Sequence, residues 1–330
     1  MNSTLIIGDI HLHNRFPGYL DAQVNSILKI IKDSKCMNII LLGDVFEKRR
    51  PSPTELLAFK NLLDLLYGRF YILKGNHDME NKSDDSPTSL SLFANDEQVS
   101  IITEITDTII GDKYFRLIPF YENESVIINA IKTAESSQIL LGHFGFFGSL
   151  NTMGISDFTI DPSSINNRCI LGHIHSFKQF NENITILGTP YTTNFGESRK
   201  PCYVARIEKD GIKFIRNNQG IRHYVCKLED LENHKDDIND PDYFTLLRVI
   251  VNKIGDNSIA KLKEDILSKY NVKYLDIKFS QLYEIKHNST YNPTVNINEI
   301  NEGVIEKYID ESNTKISKDS LLKGLTEIKS

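Results

Sequence analysis

Five short glycine-led motifs hold the residues of this sequence best suited to chemistry. They are Gly8-Asp9-Ile10-His11, Gly43-Asp44-Val45-Phe46, Gly75-Asn76-His77-Asp78, Gly142-His143 and Gly172-His173-Ile174-His175. Imidazole nitrogens mixed with carboxylate and amide oxygens suit Mn²⁺, Fe²⁺ or Zn²⁺. The lack of cysteine among them disfavours a structural zinc site. Seven of these side chains, Asp9, His11, Asp44, Asn76, His143, His173 and His175, are more ligands than one such ion needs. Two ions about 3.5–4 Å apart, bridged by a carboxylate and a water, would use them. Such a pair suits hydrolysis of a phosphoester, because it polarises phosphoryl oxygens and generates hydroxide at neutral pH. A lone histidine after a buried strand is more often a hydrogen-bonded structural residue, and a lone Gly-Asp pair is an ordinary turn. Five turns that select only ligand residues are not explained that way.

Each motif needs an element to deliver it. Residues 4–7 run into Gly8, 38–42 into Gly43, 70–74 into Gly75, 138–141 into Gly142, 168–171 into Gly172 and 184–187 into Gly188. Runs so short and so continuous in Ile and Leu read as strands buried on both faces. Val24, Ile27, Leu28 and Ile31 mark one helix face between them. Ser52-Pro53-Thr54-Glu55 opens a second helix with a capping box and a first-turn proline. Its apolar stripe is Leu56, Phe59, Leu62, Leu63 and Leu66, and Gly68 suits its stop. Strand–helix–strand order implies right-handed crossovers and a largely parallel core sheet, with ligands at the carboxyl ends of the strands.

After residue 200 the texture changes. Lys209-Asp210-Gly211 between two apolar runs signals a hairpin, and the polar stretch 233–242 reads as a linker or exposed loop. Residues 244–251, 259–270 and 272–279 read as a small β-α-β piece, and the Asn-rich stretch 288–298 as a flexible connector. Two amphipathic segments follow. Ile300, Val304, Ile305, Tyr308 and Ile309 carry one, and Leu321, Leu322, Leu325 and Ile328 the other.

Composition sets the outer bounds. At 330 residues, with 40% hydrophobic and 25% charged residues, the chain suits a folded protein of roughly two domains. No uncharged apolar run of about 18 residues exists, which argues against a membrane span. The N-terminus lacks a basic region and apolar signal core, and four scattered cysteines suit a reducing compartment. A cytoplasmic location, in a bacterial or phage-infected host, is the expectation. The net charge of -6 shows no global basic face.

Complete and in this order over residues 5 to about 200, the five motifs are similar to the motif set of the calcineurin-like metallophosphoesterase superfamily. Within it the chain most resembles the SbcD-type nuclease subunits of DNA double-strand-break repair, including the recombination nuclease subunits of T-even-like phages. Residues 184–197, Ile-Thr-Ile-Leu-Gly-Thr-Pro-Tyr-Thr-Thr-Asn-Phe-Gly-Glu, resemble the stretch after the last metal motif of those nucleases. A β-α-β cap followed by a short helical tail is also their layout. The resemblance implies an α/β metallophosphoesterase fold: a central two-layer β-sheet core flanked by helices, a small α+β cap domain and a C-terminal helical tail. The implied boundaries are 1–220 for the nuclease domain, 221–287 for the cap and 288–330 for linker and tail.

The same resemblance implies that Asp9, His11, Asp44 and His175 hold one metal, and Asp44, Asn76, His143 and His173 the other, with Asp44 bridging. His77 would stabilise the transition state or protonate the leaving 3′ oxygen, with Asp78 orienting its ring. The metals would be Mn²⁺, with Mg²⁺ as the substitute. Many cellular relatives carry a histidine three residues after the bridging Asp, where this chain has Glu47.

The implied activity is that of a DNA exo/endonuclease subunit, homodimeric and partnered by an SbcC-like coiled-coil ABC ATPase. Ile300, Val304, Ile305, Tyr308, Leu321, Leu322 and Leu325 of the tail would dock on that partner. Asn14, Arg15, Lys48, Arg49 and Arg50, beside the first two motifs, could steer a DNA backbone or simply be solvated loop ends. Phe144, Phe146 and Phe147 could line the cleft, although core packing is the commoner use. Two other functions compete. A stand-alone phosphatase or small-molecule phosphodiesterase would use the same fold, but the Gly-Asp-x-Val-Asp-Arg-Gly and Gly-Asn-His-Glu of protein phosphatases are not here. A scaffold without activity would have lost ligands or His77, and all are present.

Overall fold

Strand β1 (Thr4–Ile7) is buried at every position, and alternation explains how. Leu5 and Ile7 pack with Ile27, Leu28 and Ile31 of helix α1 (Tyr19–Ser34), whereas Ile6 turns the other way to meet Leu141 and Ile170 of a second sheet. The same split divides Ile39 and Leu41 from Ile40 in β2 (Asn38–Leu41). Both faces of these strands need apolar side chains, which is why their sequence runs are unbroken. The computed structural model describes residues 3–151, 154–155, 158–252 and 259–280.

Two six-stranded sheets form the core. The first has the order β14-β13-β1-β2-β3-β4, with β3 at Arg69–Leu73, β4 at Val99–Ile102, β13 at Cys202–Glu208 and β14 at Gly211–Asn217. Strands β1 to β4 are mutually parallel, and the β13–β14 hairpin joins β1 antiparallel. The second has the order β11-β12-β10-β7-β6-β5, with β5 at Thr106–Ile110, β6 at Lys113–Ile118, β7 at Ile139–Gly142, β10 at Cys169–Leu171, β11 at Lys178–Gln179 and β12 at Ile184–Ile186. Its middle four strands are parallel and its two edges antiparallel. A two-residue pair, β8 (Leu150–Asn151) and β9 (Gly154–Ile155), stands apart.

Helices cover the outer faces. α1 and α2 (Pro53–Asp64) lie on the first sheet, and α3 (Glu124–Lys132) contributes Ile127, Ala130 and Ile131 to the core behind the second. The capping box of α2 forms as expected: Ser52 accepts from the Glu55 amide, and the Glu55 carboxylate accepts from the Ser52 amide. The two-layer α/β core flanked by helices is therefore the one expected.

A third sheet, wholly parallel, follows: β15 (Gly220–Lys227), β16 (Tyr243–Val251) and β17 (Tyr274–Phe279). Helix α5 (Ile259–Lys269) and the short α4 (Lys235–Asn239) pack Ile266 and Ile238 against it, with Tyr224, Leu247 and Val249.

Both core sheets keep the parallel centre expected, and antiparallel strands toward their edges make each of them mixed. Two expectations need correction. The stretch 233–242 is not a plain linker, because it forms α4 and buries Ile238 completely. Helix α2 ends at Leu65 in right-handed geometry, so Gly68 (φ +149°) serves the turn into β3 rather than the helix stop. The four cysteines are free thiols. No helix among the described residues is long and apolar enough to cross a membrane. The residues up to Ser280 form one compact unit. Residues 281–330 lie outside the described residues, and with them the amphipathic positions Ile300 to Ile328.

Candidate metal centre

The carboxyl ends of β1, β2 and β3 in one sheet, and of β7 and β10 in the other, carry the five motifs to one place. Asp9 is fully buried, and neither of its carboxylate oxygens has a hydrogen-bond partner. His11 Nε2 lies 3.0 Å from His175 Nε2 and 3.8 Å from Asp44 Oδ2. Across Asp44, the same Oδ2 lies 3.3 Å from His143 Nε2. Asn76 Oδ1 stands 3.1 Å from His143 Nε2 and 2.9 Å from His173 Nδ1. Two donor clusters result, Asp9–His11–His175 and Asp44–His143–His173, each with its donor atoms within 4.8 Å of one another. Asp44 Oδ2 reaches both, which is the geometry of a bridge.

The chemistry of these donors decides whether metals fit. His143 donates Nδ1–H to the Leu42 carbonyl at 2.7 Å, so its Nε2 faces the oxygens of Asp44 and Asn76, which can only accept and which call for a proton or a metal cation between them. Buried acceptors turned toward one another, with an unpartnered carboxylate beside them, are costly unless a cation sits among them. The residues present fit a pair of divalent ions.

Charge on the site follows from burial and neighbours. Burial raises the Asp9 carboxyl above its usual range, against the attraction of His143. In Asp44 burial pushes the same way but is outweighed by His143, His11 and His77, and the carboxyl sits well below the ordinary value. His143 is the converse: burial lowers it, yet Asp44 and Asp9 raise it to about 9. His173, buried and next to His143, drops to about 3. The backbone bears some strain here. His11 (φ 42°), Asp44 (φ 47°) and His173 (φ 74°) are non-glycine residues in left-handed conformation, a cost that tends to gather at functional sites.

His77 stands beside the clusters, its ring centroid 5.1 Å from that of His11 and its amide donating to Asp44 Oδ1 at 2.8 Å. Its ring is not oriented by Asp78. The Asp78 carboxylate accepts from the amides of Gly75 (2.9 Å), Val45 (3.1 Å) and Phe46 (3.4 Å), clamping the second motif to the third. Burial lifts that carboxyl to about 7. His77 Nδ1 instead meets the Glu47 carbonyl at 2.5 Å, which leaves Nε2 to point away from that anchor.

The weaker candidates divide. Arg49 is spent on the carbonyls of Met79 and Asn81, Arg50 pairs with Glu80, and Arg15 lies 3.7 Å from Glu47. Asn14 and Lys48 are exposed. Phe144 and Phe146 are fully buried core residues, and Phe147 is 68% exposed. Sequence reasoning missed Glu197, which is buried and 3.0 Å from His175 Nδ1. It also treated Glu47 as a departure, although the Glu47 carboxylate lies 3.2 Å from His11 Nδ1. The one signal for Glu197 was its place in Asn194-Phe195-Gly196-Glu197, where Asn194 caps a single 3-10 turn that returns the carboxylate to the site.

Paired metal sites at the strand ends of a two-sheet α/β core, with a histidine alongside, define a metal-dependent phosphoester hydrolase. The chain matches the calcineurin-like phosphoesterase family over residues 3–177 and belongs to it. No curated protein matches the chain. A solved structure described as a novel archaeal phosphodiesterase is similar at 16% identity over 65% of this chain and 99% of its own, with a TM-score of 0.36.

Proposed function

We propose that the chain is a Mn²⁺-dependent DNA exo/endonuclease, the hydrolytic subunit of a recombination or repair complex with an SbcC-like coiled-coil ABC ATPase. The observation that carries the reading is the pair of donor clusters sharing Asp44, with His77 at their edge. When bound, two divalent cations polarise the phosphoryl oxygens and activate water at neutral pH. The chain's own part is to hold those donors, to exclude water from the buried carboxylates, and to present His77. With Nδ1 fixed on the Glu47 carbonyl, His77 Nε2 is the atom that would hydrogen-bond a phosphoryl oxygen or protonate the leaving 3′ oxygen.

A polyanionic substrate finds further support beside the site. A cleft of about 260 Å³ where β13, β14 and β15 meet is lined by Arg199, Lys200, Arg216 and Arg222 against the single carboxylate of Asp237. Tyr224 and Tyr243 line it too, each with an arginine over its ring, Arg199 at 4.8 Å and Arg222 at 3.4 Å. Arg222 is paired with Asp240 at 3.1 Å, and Arg199, Lys200 and Arg216 are the cations of this cleft that suit a phosphate backbone. Lys200, in that cleft, donates to Ser176, the neighbour of His175.

The remaining parts of the proposal are a cap spanning 221–287, a homodimer, and a tail that binds the ATPase. The test compares linear and nicked duplex DNA with para-nitrophenyl phosphate and its bis ester, each with Mn²⁺, Mg²⁺ or EDTA. Mn²⁺-dependent DNA cleavage is expected. Turnover of the monoester with DNA left intact would overturn the nuclease reading in favour of a stand-alone phosphatase.

A further inference from the structure

The two imidazoles of the first donor cluster are backed differently from those of the second. His175 Nδ1 meets Glu197 Oε1 at 3.0 Å, and His11 Nδ1 lies 3.2 Å from Glu47 Oε2. In the second cluster His143 Nδ1 meets the Leu42 carbonyl at 2.7 Å, with Asp9 Oδ1 farther off at 3.6 Å, and His173 Nδ1 faces the amide oxygen of Asn76, itself a candidate ligand. We infer that Glu47 and Glu197 are positioning residues of the first metal site, one carboxylate behind each imidazole, and that they make it the tighter-binding of the two.

Tautomer is the first reason. An imidazole that donates Nδ1–H to a carboxylate carries its lone pair on Nε2. The Glu197 hydrogen bond fixes His175 in this way and the nearby Glu47 carboxylate favours the same tautomer of His11; the two Nε2 lone pairs would then meet 3.0 Å apart, an arrangement that repels itself unless a cation joins them. Charge is the second. Asp9, Glu47 and Glu197 stand in or behind the first cluster, the neutral Asn76 serves the second, and Asp44 is common to both. Rigidity is the third. The Glu197 side chain is 3% exposed and is itself held by the Thr193 amide (2.7 Å), the Thr193 hydroxyl (3.0 Å) and the Asn194 amide group (2.8 Å). Glu47 is flanked by Arg15, which keeps its carboxylate from swinging to solvent unopposed. The position at which many relatives supply an imidazole here supplies the support of one.

The inference rests on the two-metal reading above, and the test separates the two. The full chain, stripped with EDTA, is titrated with Mn²⁺ while free Mn²⁺ is followed by electron paramagnetic resonance. Wild type should show two classes of site. Glu197→Gln and Glu47→Gln should each weaken the tighter class by about 10–100-fold and leave the other within about threefold. Asn76→Ala should weaken the other class alone. Glutamine keeps the size of Glu197 and can still accept from Thr193, and the part-exposed Glu47 offers an independent variant. Metal-free melting curves that match wild type confirm that each variant folds. If both classes shift together, or neither shifts, Glu47 and Glu197 do not position the first site. If wild type binds fewer than two Mn²⁺, the two-metal reading falls and this inference with it.

Discussion

Replacing Asp9 by Asn should make the metal-free protein more stable and the metal-loaded protein less so. Both Asp9 oxygens are buried without a hydrogen-bond partner. A buried polar group left unsatisfied costs about 1–3 kcal/mol, and more when charged. His143, raised to about 9 and with Nδ1 3.6 Å from Asp9 Oδ1, returns part of that cost. The net gain from removing the charge is then about 1 kcal/mol in EDTA, a rise of roughly 2–4 °C in melting temperature for a domain of this size. With Mn²⁺ at about 100 times its dissociation constant, wild type gains about 2.7 kcal/mol from binding, and Asp9→Asn should forfeit most of it. The order of the two proteins thus reverses between EDTA and Mn²⁺. Paired thermal melts in both buffers read this directly. An Asp9→Asn protein less stable than wild type in EDTA would mean that the carboxylate is a satisfied structural group. Full Mn²⁺ stabilisation of the variant would mean that Asp9 is no ligand.

The other outcomes concern separate parts of the molecule. His77→Ala should keep Mn²⁺ binding and lose cleavage by about 10²–10⁴-fold, the usual share of a general acid; turnover close to wild type in a DNA cleavage assay would remove His77 from the chemistry. Gly75→Ala would place a methyl 2.2 Å from the Asp44 amide nitrogen and Oδ1. It should therefore displace the bridging carboxylate and weaken both Mn²⁺ classes, and unchanged titrations would show that the loop yields. His223 is lowered to about 4, by burial first and against the pull of Glu197, so the fold holds it neutral. The unfolded chain takes up that proton below about pH 6.5 and the folded one only below about 4, so stability is lost as pH falls through this window. Urea melts should show about 2 kcal/mol lost between pH 7 and pH 5 relative to a His223→Gln variant, and equal slopes for the two proteins would refute the assignment.

What could be read from the chain alone was whatever depends on neighbours in sequence. The buried parallel strands announce themselves because each presents apolar side chains to both a helix layer and a sheet layer, and the turn after each carries its own ligand. Strands β4 to β6 did not, because an edge strand such as Thr106–Ile110 alternates exposed and half-buried positions, and its Thr and Asp read as loop. Ile238 was invisible for a related reason: a single buried residue in a polar stretch makes no period. The supporting carboxylates were hidden by distance along the chain. Glu197 is 22 residues from His175, and Glu47 is 36 from His11 (47 − 11), so no local spacing ties either to its imidazole. Glu47 is the sharper case. Compared by residue type alone, it reads as a catalytic imidazole lost. Its carbonyl nevertheless fixes the ring of His77 while its carboxylate backs His11, so one residue serves two histidines through two different groups. A side-chain substitution at position 47 can reach only the second of these. Any defect of Glu47→Gln should therefore fall on metal affinity and spare the orientation of His77.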